Sequence, residues 1–242
     1  MALKFPRHTL RKSQLFCLAG IFLLSIFSCQ KETPEPNENI SNQVNFNNPL
    51  IGQKSEYVLL LGENIKDKNN QNFEYKQDTL SIEVIEKIEN GFILEEKLTD
   101  FSASLNGENN VAFPSFSIQL LLKTEDQQIT IQSLHSRIKS RLFHLNEDDA
   151  LQMELLNDLR LEMESWKTNL PFQPINQTGY LSNYSLFTQT YSRLNVIINN
   201  FPMQDELSGY THVYSPEYGL VRSSSYSPHN GKGFGWDLLP SD

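Results

Sequence analysis

The histidines in the body of the chain are His135, His144, His212 and His229. None has a His or Cys partner at the spacing of a helix face or a metal knuckle, and His-Glu-x-x-His does not occur. They read as solvated or locally bonded side chains, and no metal is expected. Serine is abundant, with Ser223-Ser224-Ser225 in a row, yet no Gly-x-Ser-x-Gly surrounds one. A nucleophile needs a base and a group that orients the base, and the spacing shows neither. Glu147-Asp148-Asp149 are contiguous and lack the alternate spacing of a calcium loop. Gly231-Lys232-Gly233-Phe234-Gly235 has the glycines of a phosphate cradle without the Gly-Lys-Ser/Thr ending or a following helix, and reads as a mobile loop. No cofactor is expected, and the domain reads as non-enzymatic.

Seven of the nine tyrosines fall between residues 180 and 226, with Phe234 and Trp236 close behind. Such side chains can stack on sugar rings or line an apolar cavity, and they are also what β-strands prefer for packing. Packing is the stronger expectation.

The cysteines carry the clearest chemistry. Lys4, Arg7, Arg11 and Lys12 precede an apolar run from Leu15 to Phe27, and no acid lies among them. That run is about 13 residues, short of the roughly 20 a helix needs to cross a bilayer. It ends Leu24-Ser25-Ile26-Phe27-Ser28-Cys29 and resembles the lipobox of bacterial lipoproteins, with Ile26 three places before the cysteine and small Ser28 just before it. Phe27 is bulkier than the usual occupant. The resemblance covers only the leader and anchor. It implies that 1–28 is a signal peptide, that Ile26 and Ser28 are read by the signal peptidase, and that Cys29 is lipid-modified and holds the chain to a membrane. One acyl chain binds reversibly, whereas a diacylglyceryl group anchors stably. Cys17 leaves with the leader, so the mature fold has no thiol to pair.

Gln30-Lys31-Glu32 resembles, in part, the export tag of surface lipoproteins in the Bacteroidota, which implies the cell surface. Position two after cleavage is Gln30 and not Asp, so the inner-membrane retention signal is missing and the outer membrane is the expected address. Asp78-Thr79-Leu80 is similar to the Asp-Ser/Thr-apolar acceptor of O-glycosylation in that group, which implies a modified Thr79.

Removing the four basic residues of the leader leaves 16 bases against 29 acids, a formal balance of −13. A polyanion needs Lys and Arg at its phosphates, so nucleic acid is excluded as a partner. The remaining partners are the membrane, through the anchor, and a glycan, lipid or protein ligand.

The elements that would position any site are mostly strands. Residues 29–48, rich in Asn, Pro and Glu, cannot bury enough surface to offset chain entropy and read as a disordered acylated tether. Residues 49–242 read as one domain. Tyr57 to Leu61 has strand length. Thr79 to Ile88 and Phe92 to Leu98 alternate on either side of Asn90-Gly91, which predicts a hairpin with a type I′ turn, and Val84-Ile85 breaks the alternation as a bulge would. Phe116 to Lys123 and Gln128 to Ser133 predict a second hairpin, and Leu142 to Leu145 a short strand. Leu151, Leu155, Leu159 and Trp166 form a helical stripe over 147–167; a hairpin turning at Asn157-Asp158 is the rival. Tyr184 to Asn199 and Ser208 to Tyr226 read as strands around a Pro202 loop. Tyr214 to Arg222 resembles the closing strands of the antiparallel barrels or half-barrels of envelope lipoproteins.

The expected architecture is mainly β, a curved antiparallel sheet or half-barrel with one packed helix. The expected function is a non-enzymatic binding or scaffolding domain on an envelope anchor. A barrel carrying a lipid or other apolar molecule, and a hydrolase of envelope glycans or peptides, are the alternatives.

Overall fold

In the computed structural model, residues 42–62, 73–99, 101–104, 110–125, 128–154, 175–200, 209–215, 217–227 and 232–241 are described. Thirteen strands lie among them: β1 (Lys54–Gly62), β2 (Phe73–Ile88), β3 (Gly91–Leu98), β4 (Phe101–Ser104), β5 (Asn110–Phe113), β6 (Phe116–Glu125), β7 (Gln128–Ser133), β8 (Ala150–Glu154), β9 (Ile175–Leu186), β10 (Gln189–Asn200), β11 (Gly209–Ser215), β12 (Gly219–Tyr226) and β13 (Gly233–Leu238). Eleven form one curled antiparallel sheet, a half-barrel, in the order β8-β7-β6-β3-β2-β1-β13-β12-β11-β10-β9. Strands β4 and β5 pair separately.

The hairpins follow from local pattern. In β2 and β3 the inward set Leu80, Ile82, Val84 faces Leu98, Glu96, Leu94, and the register shifts between Val84 and Glu86, where the alternation breaks. The turn differs from expectation. Ile88 pairs with Gly91, so Glu89 and Asn90 are its central residues, and the positive φ falls on Gly91 alone, which is not a type I′ turn. A Cβ on Gly91 would meet the Leu122 carbonyl oxygen at 2.3 Å, so the glycine permits a close approach of β3 to β6. Strands β6 and β7 pair as expected, from Glu125 with Gln128 to Leu120 with Ser133.

Further expectations are corrected. The described start of the 147–167 segment is a turn followed by β8, whose Leu151 and Met153 pair with Ile131 and Ile129; no helix occurs among the described residues, and 155–167 lie outside them. Leu151 fits both a helical stripe with Leu155 and an alternation with Met153, and pairing with β7 decides in favour of the strand. Leu142 to Leu145 is not a strand but an irregular, largely buried stretch. Residues 42–48, read as the end of the tether, are part of the fold: Gln43, Val44 and Phe46 are buried, and the Val44 N–H donates to Ser55 Oγ at 2.9 Å. Their two apolar side chains were outweighed in sequence by the asparagines around them. Finally, Gly233 and Gly235 lie within β13 and not in a loop. A Cβ at either would meet the carbonyl oxygens of Ser225 (2.0 Å) or Ser223 (2.6 Å), so these glycines let two strands close up. The stretch 184–199 also contains a turn at 187–188 that joins β9 to β10.

The core lies on the enclosed face of the sheet. It takes Tyr57, Leu59 and Leu61 from β1 and Leu120 and Leu122 from β6, and also Leu142, Phe143 and Leu145 from the β7–β8 connection, residues 134–149.

Candidate functional site

The β7–β8 connection packs on the core and is fixed there by hydrogen bonds. Glu96, fully buried on β3, accepts from Ser140 Oγ at 2.6 Å, the Arg141 N–H at 2.8 Å and the Leu142 N–H at 3.1 Å. Ser140 Oγ accepts in turn from the Phe143 N–H at 2.9 Å. Burial pushes the Glu96 carboxyl up to about 7, against the pull of these hydrogen bonds. The connection is thus pinned to the alternating part of the sheet by an acid that occupies an inward position.

At its other contact the connection meets β11 and β12. Strand pairing places Leu59, Trp236, Ser223, His212 and Ile197 in one row across five strands. Paired residues of an antiparallel ladder share a face, so Ser223 and His212 project together, with Tyr210 two residues from His212 on the same side. His144 drops onto this row from the connection. Its backbone is in the left-handed region, φ 57°, a conformation unusual for a residue with a side chain. Its Nε2 lies 3.1 Å from Ser223 Oγ. The His144 ring centroid is 5.3 Å from that of His212 and 4.5 Å from that of Tyr210. Lys139 Nζ donates to Tyr210 Oη at 3.2 Å and sits 4.8 Å from the ring centroid. Lys139, Arg141, His144 and Tyr210 are part-exposed; His212 is 2 % exposed.

His212 is the unusual member. Neither ring nitrogen has a hydrogen-bond partner of full geometry, although the backbone of Leu142 and Phe143 is close enough to pull weakly on the proton. Burial outweighs that pull and holds the imidazole at about 4, so it is neutral at pH 7. His144 is held well below the ordinary histidine value, first by burial and then by repulsion of its proton by His212, Lys139 and Arg141.

Ser223 and His144 are within nucleophile-to-base distance. Activation of a serine needs a basic imidazole steered by a third group. Here burial first, and then the nearby cations Lys139 and Arg141, make it a weak base. The cluster is instead rich in donors, with Lys139, Tyr210, Ser223 and two imidazoles.

A second buried polar group occurs where β12 meets β13. Arg222 makes a bidentate pair with Asp237, and both are essentially buried. Tyr75 Oη donates to Asp237 Oδ2 at 2.6 Å, the Tyr184 ring lies 5.5 Å from the guanidinium carbon, and Phe187 packs 5.0 Å from Tyr75 between ring centroids.

The residues singled out in sequence fare differently. His144 and His212 are brought together by the irregular connection, which no sequence spacing could announce. His135 is locally bonded, its Nδ1 accepting from the Arg137 and Ile138 N–H groups at 3.3 and 3.1 Å. His229, Ile26, Ser28 and Cys29 lie outside the described residues. Thr79 is exposed on β2. The acids at 147–149 are exposed in a turn. Of the clustered tyrosines, Tyr191, Tyr214 and Tyr226 are core, while Tyr184, Tyr210 and Tyr218 are part-exposed. Reasoning from sequence missed Lys139, Tyr210 and the Arg222–Asp237 pair. The alternation of Tyr210 and His212 in a strand was the one available signal.

No protein-family profile matches the chain, and no curated protein is similar to it. Among solved structures, the chain is similar to a Bacteroides fragilis protein described as exported and as having a YmcC-like fold. The two are 12 % identical with a TM-score of 0.37, over 76 % of this chain and 93 % of the other. The half-barrel architecture rests on the strand pairing alone.

Proposed function

We propose that the chain is an envelope lipoprotein, held at the outer membrane through acylated Cys29, whose β-domain is a non-enzymatic binding module with the His144–His212 cluster as its ligand contact. The observation that carries the binding half is His212: a buried imidazole without a well-formed partner, beside part-exposed donors, is a costly arrangement unless something fills it. Support for the address is the basic, apolar and cysteine order of residues 1–29. The weak basicity of His144 supports a non-enzymatic role, and the apolar connection packed on the enclosed face counts against an apolar-ligand carrier. Labelling with a fatty-acid probe tests the anchor. The wild type should carry the label and sediment with outer membranes, and Cys29→Ser should lose both; equal membrane recovery of the two would overturn it.

A hydrolase is the second reading, favoured by the 3.1 Å approach of Ser223 and His144. A fluorophosphonate adduct on Ser223, lost in His144→Gln, would establish it in place of the binding module.

A further inference from the structure

We propose that the cluster formed by Lys139, His144, Tyr210, His212 and Ser223 is a site for a small oxyanion, such as a carboxylate or phosphate group. This deepens the binding-module reading and rests on it. Three observations converge. The side chains are donors supplied by three segments: Lys139 and His144 by the β7–β8 connection, Tyr210 and His212 by β11, and Ser223 by β12.

The surrounding charge is of one sign. In a chain with 29 acids and 20 bases, the charged groups that act on His144 at neutral pH are Lys139 and Arg141, both cations, with His212 opposing its protonation as well. The acid that meets this segment, Glu96, is already engaged by Ser140 Oγ and by the Arg141 and Leu142 N–H groups. Last, His212 has two buried ring nitrogens whose only polar neighbours are the backbone groups of Leu142 and Phe143 at poor geometry, a cost that an acceptor oxygen would relieve.

An oxyanion satisfies this arrangement where other ligands do not. Its oxygens accept from the imidazole N–H groups and from Lys139, and hydrogen bonds between charged partners are about twice as strong as neutral ones. A divalent cation would have to settle beside Lys139 and Arg141. The Tyr210 ring is already stacked on by the His144 ring and by Lys139, which competes with a sugar for the same ring. The acid group, and not a ring, is the feature recognised. Both imidazoles are held below the ordinary histidine value in the free protein, so a proton taken up with the anion makes binding tighter as the pH falls.

The test uses the mature acylated chain in neutral detergent micelles with 13C-labelled histidine, titrated at constant ionic strength with acetate, phosphate, glucuronate and glucose at pH 6 and pH 8. Saturable movement of the His144 and His212 ring signals is expected with the three anions and not with glucose, with His135 as the unmoved internal control. Affinity should fall about tenfold in Lys139→Gln and should rise as the pH falls from 8 to 6, while the spectrum stays that of the folded chain. Tighter binding of glucuronate than of acetate and phosphate identifies the acid group of a larger solute as the source; equal binding identifies the free ion. Absence of saturation up to about 50 mM of any anion, where a 1 mM site would be filled, overturns the proposal. Saturation by Zn2+ in place of the anions overturns it too. The fluorophosphonate experiment reports separately on the binding-module reading, so the two can fail independently.

Discussion

Two groups of strands in the large sheet are built on different rules. In β2, β3, β6 and β7 the side chains alternate, with Ile82, Leu94, Ile118 and Ile131 buried and Lys97, Ser117 and Gln119 exposed. In β12 and β13 every described position is buried, including Arg222, Ser223, Ser224, Ser225 and Asp237. The first group has a wet face and a dry face. The β12–β13 pair is covered on both, so its polar groups depend on partners inside the protein. Tolerance to substitution should therefore differ sharply between these two groups of strands.

The sharpest way to break that contrast is at the ion pair. Asp237→Ala leaves the Arg222 guanidinium buried and uncompensated, and chemical denaturation should show a loss of about 3–5 kcal/mol. The double variant Arg222→Met/Asp237→Leu should recover most of it, because the charges then leave together. If Asp237→Ala unfolds like the wild type, the pair is not buried as described.

A comparison of pH dependence is next in size, and its two terms have opposite sign. His212 is held at about 4 in the fold, below the 6.5 of a free histidine, so its contribution is complete above pH 6.5 and is lost as the pH falls toward 4. The groups facing it and its neighbour His144 are Lys139, Arg141 and Tyr210, none of which offsets the charge of an added proton. Glu96 is raised from 4.5 to about 7, so its contribution is complete below pH 4.5 and is lost as the pH rises toward 7. Each amounts to about 3 kcal/mol at about 1.4 kcal/mol per pH unit, and between pH 4.5 and 6.5 the two nearly offset. His144 tips the sum toward greater stability at higher pH. Glu96→Gln, which keeps an acceptor for the Arg141 and Leu142 N–H groups, should steepen that rise. His212→Asn should reduce or reverse it. Parallel urea midpoints across this range would check both, and identical slopes in all three proteins would refute the assignment.

The smallest effect sharpens the contrast from the other side. Gln119→Thr on the wet face of β6 should shift stability by no more than about 0.5 kcal/mol, as measured by thermal unfolding.

How much of this could be read in advance follows the same division. The β2–β3 and β6–β7 hairpins were legible because period and turn residues lie within a few positions of each other. Glu96 also left a trace, as an acid at an inward place between Leu94 and Leu98. The doubly covered pair of strands has no period to read: Arg222-Ser223-Ser224-Ser225 resembles a loop, and only its burial on both faces of β12 shows otherwise. The glycines of β13 looked like a flexible turn for the same reason. What makes them strand residues is the Ser223 and Ser225 carbonyls of the neighbouring strand. The histidine cluster was hidden more deeply, since His144 reaches Ser223 through a connection without repeating structure.

The pairing of β1 with β13 has a consequence for timing. The first and last strands described lie side by side in the middle of the sheet, joined from Tyr57 with Leu238 to Gly62 with Gly233. On a ribosome or in an export channel, β1 emerges long before its neighbour exists, and closing so large a loop is slow. The two flanking groups of strands can form as they are made, but the seam between them waits for the final segment. A chain delivered across a membrane from its N-terminus would thus stay open, and fit for transport, until its last strand arrives.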